Sequence, residues 1–228
     1  MTLVARRQAE LDRVAADLPG TRVLAADLST IEACAGFAER VGETPDIVIH
    51  CAGAGRWLAV EETDPEEAVS MMGAPYFSSF FATRVLLPGM LARGSGMHVY
   101  LNSPASILPI PGAAGYTGAR HALRGFAGAL RAEVAGRGVH VLHFVAGKVK
   151  STYFDNNPGS ELRIPGISKW IPDLSVEDCA ARVCNAIEGR RKEVFAPFML
   201  WAFYQFYRLV PWMVDAMVRG TGWKAPSR

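Results

Sequence analysis

The chain predicts an α/β protein built on a parallel sheet that is doubly wound by crossover helices. Short apolar, β-branched runs alternate with longer stretches of helical period along nearly all of its 228 residues. Half the residues are hydrophobic and 20% are charged, enough to bury one α/β core, while the chain is too short for two domains of ordinary size. A formal net charge of +2 offers no basis for a nucleic-acid partner.

Taken in order, Thr2–Ala5 reads as the end of a strand and Arg7–Leu18 as a helix, closed by Pro19 and Gly20. Arg22–Ala26 is a second strand, and Asp27-Leu28-Ser29 leads into a helix from about Thr30 to Val41. Asp46–His50 is a continuous apolar run, the pattern of a strand buried on both faces. Cys51 to Gly55 then makes a tight turn. A long helix is expected over Pro65–Leu91, and Met71, Met72, Tyr76, Phe77, Phe80 and Phe81 give it an apolar face broader than one sheet contact requires. Met97–Asn102 and Val139–Val145 read as strands, Gly115–Gly136 and Ser175–Arg190 as helices. Cys34, Cys51, Cys179 and Cys184 form no C-x-x-C pair and no cluster with histidine, so reduced thiols of a cytoplasmic protein are expected, and no metal site. The first residues contain no long apolar stretch, so no secretory signal is expected there. No window reaches the ~18 uninterrupted apolar residues of a membrane span.

Tyr116 follows Ser103 by thirteen residues and precedes Arg120 by four. A phenol, with an ordinary pKa of about 10, is a poor proton donor or acceptor near neutrality. A fixed cation one helical turn away favours the phenolate. The i,i+4 spacing puts Tyr116 and Arg120 on one helix face, and a hydroxyl at the end of the preceding strand can hold a carbonyl between them. That is an apparatus for protonating an alcoholate as hydride arrives.

The run from Ser103 to Arg120 resembles the Ser…Tyr-x-x-x-Lys signature of the short-chain dehydrogenase/reductase family, with arginine in place of the lysine. The strand before it and the helix Arg120-His-Ala-Leu-Arg-Gly-Phe126 after it agree with the resemblance, and the order of elements is similar to the family's from its second strand to its C-terminus. The resemblance implies a Rossmann-like doubly wound sheet, N-terminally truncated, because the family's first strand and its glycine-rich, pyrophosphate-binding turn have no counterpart. That strand is the central one, so a gap is expected between Thr2–Ala5 and Asp46–His50. On this reading the sequence is an incomplete version of the natural protein, or one begun at a misplaced start codon.

The resemblance also implies an activity: an NADP(H)-dependent oxidoreductase interconverting a carbonyl and a secondary alcohol, on a lipophilic substrate. Tyr116 is then the general acid or base, Ser103 positions and polarises the substrate oxygen, and Arg120 supplies the charge and contacts the nicotinamide ribose. Ser70 takes the place of a fourth catalytic residue, normally an asparagine that helps to hold a water. Asp27 and Leu28 fall where the family accepts the adenine amino group, a helix cap being the alternative for Asp27. Arg6 and Arg7 fall where the family distinguishes its two cofactors, and arginine suits a 2′-phosphate, so NADP is expected over NAD. The alternative is two solvated arginines opening a helix. His50-Cys51-Ala52-Gly53 stands where the family has Asn-Asn-Ala-Gly. Ala52 and Gly53 still admit a cofactor ribose, and His50 is expected to be a core residue satisfied by backbone. Ala146, Gly147, Val149 and Ser151 lie in the counterpart of the Pro-Gly-x-x-x-Thr segment that covers the nicotinamide.

One domain is expected, with 1–190 as the sheet-and-helix core and 191–228 as a hydrophobic C-terminal helical extension dense in aromatic residues. Pro211 should break or kink that helix, and Gln205, Arg208, Asp215 and Arg219 share one narrow stripe. The segment 195–218 is open to several readings: a cap on an apolar substrate pocket, a surface against a partner subunit, a peripheral membrane contact, or plain core packing. Family members pair their two long helices across a two-fold axis, which implies a homodimer or homotetramer with Phe80 or Phe81 in the contact. The departures from the family pattern keep a second function open, that of a degenerate, non-catalytic member acting as a binding or membrane-associated subunit.

Overall fold

Two parallel sheets organise the chain. The computed structural model describes residues 1–224, so the last four residues of the expected C-terminal extension lie outside the described residues. Thr2–Ala5 (β1) pairs with Arg22–Ala25 (β2) in parallel, Thr2 opposite Arg22 and Ala5 opposite Ala25, with the helix Gln8–Ala15 (α1) as the crossover. The second sheet has the order β3-β4-β5-β6, all parallel, from Ile47–His50 (β3), Gly96–Asn102 (β4), Val139–Ala146 (β5) and Glu193–Ala196 (β6). No strand pairing joins the two sheets among the described residues, which is the gap the sequence predicts.

Several elements differ from expectation, each for a local reason. The helix expected from Thr30 is shorter: a 3-10 turn at Glu32–Cys34 is followed by Gly36 at φ 69°, and only Phe37–Val41 (α2) is α-helical. The long helix over Pro65–Leu91 is three pieces, Pro65–Met72 (α3), a π-helical turn at Gly73–Phe77 and Ser78–Arg93 (α4). Pro75 has no N–H to give back to the preceding turn, and the wide π turn accommodates that loss. Gly94, at φ 68°, ends α4 in the left-handed conformation that glycine adopts without penalty.

Ala114–Glu133 (α5) is amphipathic along its whole length. Its buried residues Tyr116, Ala119, Arg120, Leu123, Ala127 and Leu130 form a stripe at helical spacing. That stripe joins α4 over one face of β4 and β5, where Met90, Tyr100, Leu123 and Val141 share a core. On the opposite face Val176–Glu188 (α6), capped by the Ser175 hydroxyl, covers Met97, Val99, Leu142 and Phe144.

Strand β3 is not buried on both faces, contrary to expectation: Ile47 and Ile49 are 44% and 46% exposed. Alternate side chains point to opposite faces. Val48 and His50 lie on the face that α4 and α5 cover, whereas on the other face the core beneath α6 reaches Met97 and Val99 of β4 and stops short of β3. Ile47 and Ile49 therefore project from a sheet edge with little packed on them.

The C-terminal segment opens with a strand and not a helix. Glu193–Ala196 extends the sheet beyond β5, because Val194 and Phe195 half-bury against it before Pro197 ends the pairing. The chain then forms two helices, Phe198–Leu209 (α7) and Pro211–Thr221 (α8), broken at Pro211 as expected. Leu200, Val214 and Val218 are fully buried against Ile107, Leu108, Val145 and Ile167. Phe198, Trp201, Leu209 and Trp212 are exposed.

Candidate active site

The carboxyl ends of β4 and β5 and the start of α5 enclose a cavity of about 310 Å³. Ser103, Tyr116 and Arg120 line it together with Ala146, Gly147, Val149 and Ser151. The rest of its wall is mostly apolar: Trp57, Leu108, Ile110, Phe154, Ile164, Ile167 and Ile171, and from the tail helices Leu200, Phe203 and Val218.

Each central residue is fixed by the element that carries it. Ser103 follows the last residue of β4, and its hydroxyl oxygen accepts the Ala105 N–H at 3.1 Å, capping a short 3-10 turn at Pro104–Ser106. Tyr116 and Arg120 occupy successive turns of α5, both buried, with the Arg120 guanidinium carbon 4.9 Å from the centroid of the tyrosine ring. Trp57 and Tyr153 flank that ring at 5.5 and 6.4 Å between centroids. Met71 of α3 packs close to both Gly55 and Gly115, and Gly55 also lies against the Tyr116 ring.

Arg120 has no ion-pair partner among the described residues, and its Nε is buried without a hydrogen-bond partner there. A side chain at Gly53 would collide with the guanidinium, so Arg120 packs directly against the Gly53 backbone. Tyr153 donates its hydroxyl to the Gly55 carbonyl at 2.9 Å. Burial pushes its phenol up, and the neighbouring Tyr116 adds to the shift, so Tyr153 stays protonated throughout the physiological range.

Other expected residues lie apart from the cavity. Ser70 is exposed on α3 and does not line the cavity. Arg6, Arg7, Asp27 and Leu28 sit at the ends of β1 and β2, in the other sheet. Asp27 accepts the hydroxyl and the N–H of Ser29 at 2.6 and 3.0 Å and faces Arg6 at 3.9 Å. The Ser29 hydroxyl chiefly, with help from Ser29 N–H and Arg6, holds this carboxyl below the usual range. Ala52 and Gly53 are exposed in the loop after β3. His50 is buried, as expected, but its ring pairs with His98 at 3.0 Å and not with backbone.

Sequence reasoning missed Trp57, Tyr153 and Asn102. Asn102 is the last residue of an apolar strand, and a polar residue in that position was the available signal. Trp57 and Tyr153 reach the site from loops, which carry no periodicity to place them.

The model of the short chain dehydrogenase family matches residues 1–161. A dehydrogenase/reductase SDR family protein 7-like of Drosophila melanogaster is 36% identical over 61% of this chain, and the matched region covers 46% of that relative. Its namesake from Anopheles gambiae is 29% identical over 92% of this chain and 71% of its own length. The chain thus spans about half the length of the fly relative. Among solved structures, a short-chain dehydrogenase from Burkholderia cenocepacia in complex with NADP aligns with a TM-score of 0.79 at 23% identity, covering 94% of this chain and 84% of that one. A Streptomyces avermitilis short-chain dehydrogenase aligns with a TM-score of 0.76 at 22% identity, over 97% and 89%. The chain belongs to the short-chain dehydrogenase/reductase family.

Proposed function

We propose that this site interconverts a carbonyl and a secondary alcohol, with NADP(H) as the hydride carrier and an apolar substrate. The observation that carries the reading is the meeting of Ser103, Tyr116 and Arg120 in one mostly apolar cavity. The unpartnered buried Nε of Arg120, which needs an acceptor, supports a nicotinamide ribose beside it, and Ala52 and Gly53 are retained as ribose-binding candidates. Exposed Arg6 and Arg7 favour a 2′-phosphate over a free 2′-hydroxyl. The pyrophosphate is less well served, since the 228 residues contain no G-x-x-x-G-x-G run, and no step below involves it.

When bound, the nicotinamide supplies or accepts the hydride. The Ser103 hydroxyl donates to the substrate oxygen and fixes its direction. Tyr116 delivers its phenolic proton to that oxygen in reduction and recovers it in oxidation. Arg120, always charged, stabilises the phenolate left behind but has no proton to pass on. Trp57 and Tyr153 wall the tyrosine from water, which strengthens these interactions. Ser70 is retained as a water-holding candidate. Ala146, Gly147, Val149 and Ser151 would cover the nicotinamide from the β5 side.

Leu200, Phe203 and Val218 support a lipophilic substrate, because the tail helices close the apolar end of the cavity. The exposed Phe198, Trp201, Leu209 and Trp212 support a peripheral membrane contact through 195–218. Exposed Phe77 and Phe80, beside Phe81 and Phe126, support a homodimer or homotetramer through α4 and α5. The test of the reading is NADPH consumption with a panel of short and long apolar ketones and aldehydes. Stoichiometric nucleotide binding without turnover of any of them would favour the non-catalytic alternative.

A further inference from the structure

Asn102, only 4% exposed, stands directly before Ser103 and touches both sides of the candidate site. The Ser103 N–H donates to its Oδ1 at 2.9 Å. Its Nδ2 donates to the backbone carbonyl of Arg120 at 3.0 Å and faces Nε2 of His143, also at 3.0 Å. His143, 1% exposed, turns its Nδ1 to Glu193 Oε1 at 3.1 Å. Glu193 in turn meets Arg124 at 3.4 Å, and Arg124 donates to the Tyr204 hydroxyl at 2.7 Å.

The chemistry of these contacts leaves no freedom of assignment. A backbone N–H can only donate, so the amide atom facing Ser103 is the oxygen and the other is the NH₂ group. That group gives one hydrogen to Arg120 and one to His143, so Nε2 accepts and the ring is the neutral Nδ1–H tautomer. The Nδ1–H then donates to the Glu193 carboxylate. Burial lowers the pKa of His143, against the opposing pull of Glu193 and with help from Arg124 and Arg131. A protonated ring would set one donor against another at Asn102.

We propose that Asn102 is a positioning residue. Its amide, locked in one orientation by His143, ties the Ser103 backbone at the end of β4 to the Arg120 backbone in α5. It thereby fixes the spacing of the two groups that flank the Tyr116 phenol. The kinetic part rests on the catalytic reading above, while the tautomer and the backbone tether do not.

Three measurements on the full chain test it. Long-range ¹H–¹⁵N NMR of the wild type should find His143 as the Nδ1–H tautomer at neutral pH, and an Nε2–H signal overturns the proposal. Hydrogen exchange at the Ser103 amide should accelerate in Asn102→Leu and in His143→Phe. It should stay slow in His143→Gln, whose amide can accept from Asn102 and donate to Glu193. If His143→Gln exchanges as fast as His143→Phe, the lock is not a hydrogen bond and the proposal falls. In turnover, His143→Phe should lower kcat on the order of tenfold to a hundredfold, the scale of a 1 Å misplacement. KM should stay within about threefold, since the apolar wall that holds the substrate is untouched. His143→Gln should restore most of kcat. A folded His143→Phe protein with wild-type kcat and wild-type Ser103 exchange overturns the inference. If the wild type turns over no carbonyl, the catalytic reading fails alone, and the tautomer and exchange results still decide the tether.

Discussion

The guanidinium carbon of Arg120 lies over the ring of Tyr116, 4.9 Å from its centroid, one helical turn further along α5. A planar cation placed over the ring interacts with its face as well as with charge on its oxygen. A lysine ammonium is compact and reaches a point. We expect Arg120→Lys to raise turnover by up to roughly tenfold, equivalent to about 1.4 kcal/mol of barrier. Nucleotide binding should be retained. A fall in turnover with nucleotide binding intact would mean that the guanidinium is itself the better partner for this tyrosine.

Three buried histidines make stability depend on pH. Burial lowers the pKa of His50, of His98 (to about 4) and of His143. In the unfolded chain each takes a proton near pH 6.5. As the pH falls below that value the unfolded state binds protons that the folded state refuses, so stability drops. It should be highest above pH 6.5 and fall steadily toward pH 4. The lowered carboxyl pKa values of Asp27, Glu67 and Glu193 act in the same direction, but from about pH 4.5 downward. Thermal unfolding followed between pH 7 and pH 5 therefore isolates the histidines. His98→Phe should flatten the slope in that interval, and an unchanged slope would contradict this assignment.

The tail helices divide into a buried and an exposed side. Leu200→Ala should destabilise the fold by about 2–5 kcal/mol, because Leu200 is fully buried against Val145 and Ile167. Trp212→Ser, on the exposed side, should change stability by no more than about 0.5 kcal/mol. If the segment docks on lipid, Trp212→Ser should nevertheless reduce co-sedimentation with anionic liposomes. Equal sedimentation of wild type and variant would remove the membrane reading.

Assembly through α4 and α5 predicts that Phe80→Glu turns a dimer or tetramer into a monomer in light scattering at micromolar concentration. Phe80 is 37% exposed and sits among Tyr76, Phe81 and Phe126. A monomeric wild type would contradict the prediction.

Most of the sheet was legible because strands and helices alternate with distinct periods. The stripe from Tyr116 to Leu130 and the run Met97–Asn102 needed only periodicity. Even the gap between β1 and β3 could be anticipated, because the elements are in a known order with one absent. Burial across the sheet was harder to read. Ile47 and Ile49 look like core residues in sequence, and only the reach of α6 decides that they are exposed. The β6 strand hid inside an aromatic segment whose composition suggested helix throughout. At the site, Ser103, Tyr116 and Arg120 were readable from their spacing taken together with the resemblance to the family's signature. Trp57 and Tyr153 were not, since their place beside Tyr116 depends on loop paths. Asn102 was overlooked because its role lies in what its amide ties together, and that is a property of the fold.

The proposed chemistry depends most directly on Tyr116 as the proton-transfer residue. The decisive measurement is the rate of NADPH-dependent reduction of an apolar ketone by the wild type and by Tyr116→Phe, with nucleotide affinity measured for both. The variant should lose about 10²- to 10⁴-fold in turnover with nucleotide affinity nearly unchanged. An unchanged rate in a folded Tyr116→Phe protein would contradict it.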